Sequence, residues 1–311
     1  MSDAVPRNLA GKQVITLHRT PNIPVVSIDK VLPDTIYIRT SERLLFRRCR
    51  RLWGWNSPLK MNLEIASRPD YFWFGTGMHY ALEDFHGVNT YEHPSRAFSA
   101  YVAATKHIGE APDTWKELEI LGINMMCDYA DYWIASRKRD RMDAWVYNGI
   151  PQCEVRFEIE LPIRGPQGQR IVYRGMIDGM WYDAYKDQLW VKEYKSAKAF
   201  RMQHFDTDDQ VTAYVWAAAA IYNRPIAGVI YQQHKKDLPR PPKILSTGKV
   251  SVNKEMNTSY AMYREVLMDV YEDPKNFPAD NLRYLNKLVT EEEDDADSFI
   301  RRDKIYRNEH Q

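Results

Sequence analysis

Cysteine is scarce in this chain. Only Cys49, Cys127 and Cys153 occur, an odd set without CxxC spacing, which excludes a disulfide scaffold and points to a reducing compartment. Long apolar runs are missing as well. The longest, Ala213 to Tyr222, is about half of the ~20 residues a membrane helix needs. The opening MSDAVPRNLAGK has no apolar signal-peptide core, so the expectation is a soluble, intracellular protein without a membrane partner. Excess charge of either sign is absent too. Lys plus Arg number 43 against 42 Asp plus Glu, which argues against a passive coat on nucleic acid. There is no Gly-x-x-x-x-Gly-Lys loop, no HExxH and no Pro-Cys-x-x-Cys, which removes an ATP motor, a zincin and a zinc deaminase. Gly248-Lys249 has no preceding glycine loop and reads as a turn. Neither an internal repeat nor a low-complexity linker is visible.

What is present is enough chain for a real core, 311 residues with 44% hydrophobic content, organised as one large domain or two modest ones. The 20 Tyr and 9 Trp can fill that core or stack on bases. Charge is local rather than global. One basic block is Arg43, Arg47, Arg48, Arg50 and Arg51; a second is Lys235, Lys236, Arg240 and Lys243; the acids gather in the run Glu291 to Asp297.

Hydrophobic period divides the chain. Residues 1–33 read as an N-terminal extension with one strand near 13–17. Thr35 to Arg39 alternates like a strand, and Ser41 is placed to cap one helix through SERLLFRRCRRLWGW. From Gly77 to about Asn148 apolar residues recur at spacings of three and four, a helical part. From about 151 the period changes to two. Cys153 to Leu161 alternates as a strand open to water on one side, GPQG at 165–168 makes a turn, and Arg170 to Trp181 forms a second strand. A turn at 185–188 leads to a third strand, Leu189 to Lys195. A helix from about Asp208 to Asn223 stops before Pro225, Ile226 to Gln233 is a fourth strand, and Asn257 to Tyr271 a last helix. The predicted fold is α/β: a mixed central sheet flanked by helices, in one domain over 34–290, with a catalytic core at 151–235 and a charged tail at 291–311.

One hairpin carries the chemistry. With its turn at 185–188, opposed positions add to about 373, so Asp178 faces Lys195, while Glu193 and Lys195 share a strand face. A one-residue slip would turn Asp178 away. Two converging carboxylates suit a hard cation, and a lysine beside them can stabilise charge developing on a phosphate. Alone, a Glu-x-Lys triplet is an ordinary solvated strand edge; Asp178, between Gly175 and Gly179 on the preceding strand, weakens that reading. Gln210 and Tyr214, four apart on one helical face, can reach the same cluster or simply form a polar edge. His79 opens a helix after the Gly-rich bend at 75–77, as a ligand or as a structural histidine.

Taken in order, Thr76-Gly-Met-His79, Gly175-Met-Ile-Asp178, Glu193-Tyr-Lys195 and Gln210-x-x-x-Tyr214 resemble the motif series of PD-(D/E)XK nucleases of the RecB-like branch, which includes Cas4 proteins and phage-encoded exonucleases. The segment 39–51 is similar to the one that precedes the His motif there. The resemblance spans about 35–235 and implies a restriction-endonuclease-like core. It further implies Mg²⁺ or Mn²⁺ on His79, Asp178, Glu193 and the Tyr194 carbonyl, with Lys195 catalytic and Gln210 and Tyr214 completing the site. The implied activity is a DNA exonuclease of phage or bacterial recombination, repair or replication, with a structure-specific or restriction-type endonuclease, or a weakly active or inactive DNA-binding or assembly factor, as alternatives. DNA, as linear duplex or single-stranded ends, is the implied substrate, in the (host) cytoplasm, with a recombination annealing protein as a companion. Arg43, Arg47, Arg48 and Arg51, with Gln210, Tyr214, Lys235 and Lys236, are the DNA-binding candidates. Cas4-like members carry an iron–sulfur cluster on four cysteines. Only Cys49 matches, and nothing follows Cys153, so no cluster is expected; Cys127 and Cys153 read as buried packing residues.

Overall fold

The computed structural model describes residues 34–57, 61, 63, 70–106, 112–200, 208–253, 256–288 and 299–307, the side chains of 138–140 aside. The strand expected at 13–17 and the acidic run lie outside them. The centre is a seven-stranded mixed sheet. Its spine is the long strand β6 (Arg170–Asp183), preceded in the chain by β1 (Thr35–Ile38), β2 (Met142–Ala144), the small hairpin β3 (Val146–Tyr147) and β4 (Ile150–Pro151), and β5 (Cys153–Arg164). A strand has two hydrogen-bonding edges. On β6, β5 and β2 run antiparallel along one edge. Along the other, β1 pairs in parallel with residues 170–173, and β7 (Gln188–Ala197) pairs antiparallel with residues 179–183. Between those two ladders the stretch 174–178 has, among the described residues, no strand beside it on that edge, and the sheet is split there. Beyond β7 come β8 (Ile226–Lys235), parallel to it, and β9 (Ile300–Tyr306), antiparallel to β8.

Helices cover both faces. On one, α3 (Asp70–His86), α4 (Pro94–Thr105) and α5 (Trp115–Asp140) pack Phe74, Met78, Leu82, Phe98, Met126 and Tyr129 onto Trp181, Trp190 and Tyr194 of the sheet. Gly77 makes this close packing possible, because a Cβ there would meet the Tyr101 and Phe98 rings at 2.7–2.9 Å. The Gly75–Gly77 segment is therefore the interior of α3 and not the bend expected from its composition. On the other face α6 (Asp209–Tyr222) buries Val211, Ala217, Ala218 and Ile221 against Val155, Ile177, Val191 and Val229. It begins where Asp208 caps the amides of Gln210 and Val211 and ends at Asn223 in the left-handed region, φ 48°. A third cluster joins α7 (Tyr260–Tyr271), capped by Ser259, to α8 (Ala279–Lys287).

Several expectations are corrected. The single helix expected over 41–55 is two, α1 (Thr40–Arg48) and α2 (Arg50–Asn56), broken at an extended Cys49, and Ser41 is not its cap. The break lets Trp53 turn back, its ring edge-on to Phe46 at 5.1 Å and its indole N–H donating to Glu42. The helical part ends at Asp140, and the short strands β2 and β3 occupy 142–147. Alternation in β5 does not face water: Glu154, Glu158 and Glu160 are buried, Glu160 against Arg164 and Arg170. Residues 300–306, expected in a charged tail, form the sheet strand β9 because Ile300 and Ile305 bury apolar side chains there. Cys127 and Cys153 are half-buried rather than enclosed. Among the described residues no helix is long and apolar enough to cross a membrane.

Candidate active site

The split in the sheet is where the acids meet. Where β6 and β7 part, beyond the Gly179–Lys192 pair, the Tyr194 amide donates to the Asp178 carboxylate at 2.7 Å instead of to a backbone carbonyl. Opposed positions of this hairpin add to 371, as in Met180–Val191, not to the expected 373. Asp178 is therefore level with Glu193 and not with Lys195. A slip of two keeps every side chain on its predicted face, so the cluster survives the error.

Across β6, the β5 register places Glu154 level with Asp178, between the pairs Cys153–Gly179 and Val155–Ile177. Glu154 has φ 50°, a left-handed conformation that costs a residue other than glycine on the order of 1–2 kcal/mol. Its carboxylate meets α3, where the His79 imidazole Nδ1 lies 2.9 Å from Glu154 Oε1 and 3.4 Å from Asp178 Oδ1. Single ligand atoms of His79, Glu154 and Asp178 all fall within 4.8 Å of one another. Glu154 was not among the sequence candidates, being one acid among several in an alternating strand.

Glu193 stands beside this trio and not within it. Its Oε1 receives the Lys195 ammonium and, at 3.1 Å, the side-chain amide of Gln210. Gln210 also reaches the Tyr214 hydroxyl at 3.3 Å, so both residues from α6 arrive at the cluster as their spacing suggested. The second oxygen, Glu193 Oε2, is buried with no hydrogen-bond partner. Tyr194 turns its ring into the core against Tyr129 and Trp181; only its backbone is available to the site.

Electrostatics follow from crowding. Burial, then the charge of Asp178, pushes the Glu193 carboxyl up to about 7, and burial raises Asp178 above the usual carboxylate range. At His79 burial works against the charged form, but Asp178 and Glu154 outweigh it and raise the imidazole to about 9. Lys195, despite burial, is raised by Glu193 and Asp178 and stays charged. Two buried carboxylates on one imidazole, with an unsatisfied buried oxygen of Glu193 beside them, leave acceptor capacity that a divalent cation would take up. Oxygen donors with a single imidazole suit a hard or borderline divalent ion, and the residues present fit one.

The basic candidates are dispersed. Arg43 and Arg47 reach the Asp209 carboxylate at the start of α6, which docks α1 against the helix carrying Gln210. Arg50 and Arg51 lie on α2, over the rings of Phe46 and Trp55, so the one broad arginine face expected for a continuous helix does not form. Arg48 is exposed. Lys235 donates to Asn257 at 2.7 Å, and the Lys236 ammonium lies 5.8 Å from the centre of the Phe74 ring.

Compared with known proteins, residues 41–301 match a family model described as the PD-(D/E)XK nuclease superfamily. No curated protein matches the sequence.

Proposed function

The chain belongs to the PD-(D/E)XK nuclease superfamily, and from that premise we propose that it hydrolyses DNA phosphodiester bonds with Mg²⁺ or Mn²⁺ held by His79, Glu154, Asp178 and Glu193, with the Tyr194 carbonyl as a further ligand. The observation that carries the reading is the convergence of His79, Glu154 and Asp178 at the split of the sheet, with Glu193, Lys195 and Gln210 alongside. A divalent cation in this place supplies Lewis-acid polarisation of the scissile phosphate and a more acidic attacking water. Lys195 brings a fixed positive charge to the same point, where charge develops on the phosphate oxygens. Gln210 and Lys195 together hold one oxygen of Glu193 and leave the other facing inward. Gln210, bonded to Glu193 and to the Tyr214 hydroxyl, completes the site from the α6 side.

Within that class we favour an exonuclease of the RecB-like branch, serving phage or bacterial recombination, repair or replication. The order of the four motifs supports this assignment. The test is digestion of end-labelled linear DNA and covalently closed circles with Mg²⁺, Mn²⁺ or EDTA. Metal-dependent loss of the linear substrate alone is expected; cut circles would replace the exonuclease by an endonuclease, and intact DNA throughout would sink the nuclease reading. In parallel, Lys195→Ala should lose cleavage while retaining DNA binding, since one cation among many phosphate contacts adds little affinity.

A further inference from the structure

Helix α6 is apolar around its whole circumference. After Asp209 it carries no charged residue, and its sequence runs VTAYVWAAAAIY from 211 to 222. Val211, Ala217, Ala218 and Ile221 meet the sheet, which accounts for one face. A second stripe, Thr212, Val215, Trp216 and Ala219, recurs at spacings of three and four. These residues are only half-buried, and Trp216 is 37% exposed. A surface helix ordinarily turns charged and polar side chains outward, and one that is apolar all round is covered on every side. The helix therefore has one apolar face more than the described residues cover.

That face borders a groove of about 1340 Å³, lined by Val215, Trp216 and Ala219 together with Ile38, Leu161 and Tyr173. The rings of Tyr173 and Trp216 lie 6.0 Å apart. Three of the four arginines in its lining are engaged: Arg43 with Asp209, Arg224 with Asp187, and Arg307 with the Thr212 hydroxyl and the Tyr306 carbonyl. Its two acids, Asp187 and Asp209, are thereby paired as well. A charged ligand gains little from such a lining, whereas an apolar peptide segment can bury surface there. The chain itself enters at this place. Ile38 and Arg39, where β1 ends, both line the groove, and the described residues begin four positions before Ile38, at Asp34. Immediately ahead of them stands the apolar stretch 23–32, IPVVSIDKVL. The way back along β1 is about 13 Å and α6 is about 20 Å long, so about ten extended residues reach from Asp34 to the far end of the groove. The stretch has that length. A tethered segment also acts at an effective concentration of about millimolar, an advantage over a second copy or a separate protein.

We propose that the groove along α6 is the docking site of the chain's own segment 23–32, whose apolar side chains cover Val215, Trp216 and Ala219. The inference does not depend on the nuclease reading. It gives the N-terminal extension a structural task, because α6 also carries Gln210 and Tyr214, and a segment held along this helix braces the element that completes the carboxylate cluster.

The full chain is tested by photo-crosslinking, with benzoylphenylalanine in place of Trp216 and, in a second variant, of Ala219, so that a folding defect in one leaves the other to decide. After irradiation in dilute solution and tryptic digestion, mass spectrometry identifies the peptides joined to the probe. The expected product has the mass of a single chain and links the probe to the peptide 20–30, TPNIPVVSIDK. The same probe at Val88, which is 86% exposed, should not join that peptide. Val25→Asp with Val26→Asp, which puts a charge on either side of an extended segment, should lower the yield of the link about tenfold or more and lower the melting temperature. A product of twice the chain mass would give the groove to a second copy and overturn the proposal. So would links from both positions to other parts of the chain alone, or none at all. Equal labelling of 20–30 from Val88, or an undiminished yield in the double-aspartate variant, would likewise reject a specific seat for the segment.

Discussion

Glu154 combines a backbone cost with an electrostatic one. Its φ of 50° is poor for a glutamate, and its carboxylate is buried beside Asp178. Asparagine is the side-chain-bearing residue that best tolerates this backbone region. Glu154→Asn should therefore leave the melting temperature unchanged or higher while weakening Mn²⁺ binding at least about tenfold, as loss of a ligand or its close support does. Calorimetric titration together with thermal melting checks both; undiminished Mn²⁺ affinity would remove Glu154 from the metal site. Asp128, which is not part of that cluster, gives a pH signature. Buried on α5, it accepts the Ser259 hydroxyl at 2.6 Å, yet burial, only partly countered by that bond, raises its carboxyl to about 6 from the ordinary 3.8. The folded state thus holds this proton more tightly than the unfolded chain. The contribution is full below the unfolded value, is lost as pH rises from about 4 to 6, and stays lost above. Asp128→Asn should gain stability relative to the parent by about 2–3 kcal/mol between pH 4 and 7, at 1.36 kcal/mol per unit. Denaturant unfolding across that range reads the difference; parallel curves for the two proteins would reject it.

Among the elements, β8 shows how a single glycine holds a sheet together. The β7–β8 register shifts by one between Leu189 and Trp190, leaving Ala227 as a bulge before Gly228. Gly228 has φ 153°, and a Cβ there would lie 2.0 Å from the Ile305 carbonyl oxygen of β9. Gly228→Ala should push β9 off and destabilise the protein by on the order of 3 kcal/mol, the upper range for overpacking. Hydrogen exchange should then show the amides of 300–306 losing protection first; full protection of β9 in a folded variant would mean the backbone yields elsewhere. The helices teach a related lesson. Glycines at 75 and 77 look like a bend in the sequence, but at Gly77 the missing side chain is filled by the rings of Phe98 and Tyr101. Likewise the arginine-rich segment 40–56 has helical period throughout, yet it breaks at Cys49, where Trp53 and Ser57 turn back onto Phe46 and Glu42.

For the whole molecule the decisive contact is between the chain's last described strand and its middle. β9 pairs with seven successive residues of β8, from Gly228 to His234, and β8 in turn backs β7, which carries Glu193 and Lys195. Ending the chain at residue 298 would expose the β8 edge, a ready site for association with other chains. The truncated protein should aggregate or melt well below the full chain, seen by light scattering and thermal unfolding. A shortened protein of parental stability would make 299–311 a dispensable tail after all.

Much of this was legible in the sequence, for a local reason. Period two and period 3.6 are properties of neighbouring residues, so the hairpin of β6 and β7, the helix α6 and its pair Gln210 and Tyr214 could be read from order alone. The face shared by Glu193 and Lys195 survived a register error because strand side chains repeat every two residues. Other features depend on distant partners and had no local signal. Glu154 became a site residue through the pairing of β5 with β6, and Asp178 meets the Tyr194 amide because β1 and β7 divide one edge of β6 between them. Charge density, likewise, marked 291–311 as a tail, although Ile300 and Ile305 repay their ordering only when β8 lies beside them. Residue types and their spacing determined which chemistry this chain can perform. Tertiary structure decided which acids stand together, because a carboxylate's neighbours are set by strand pairing across the sheet rather than by its place in the chain.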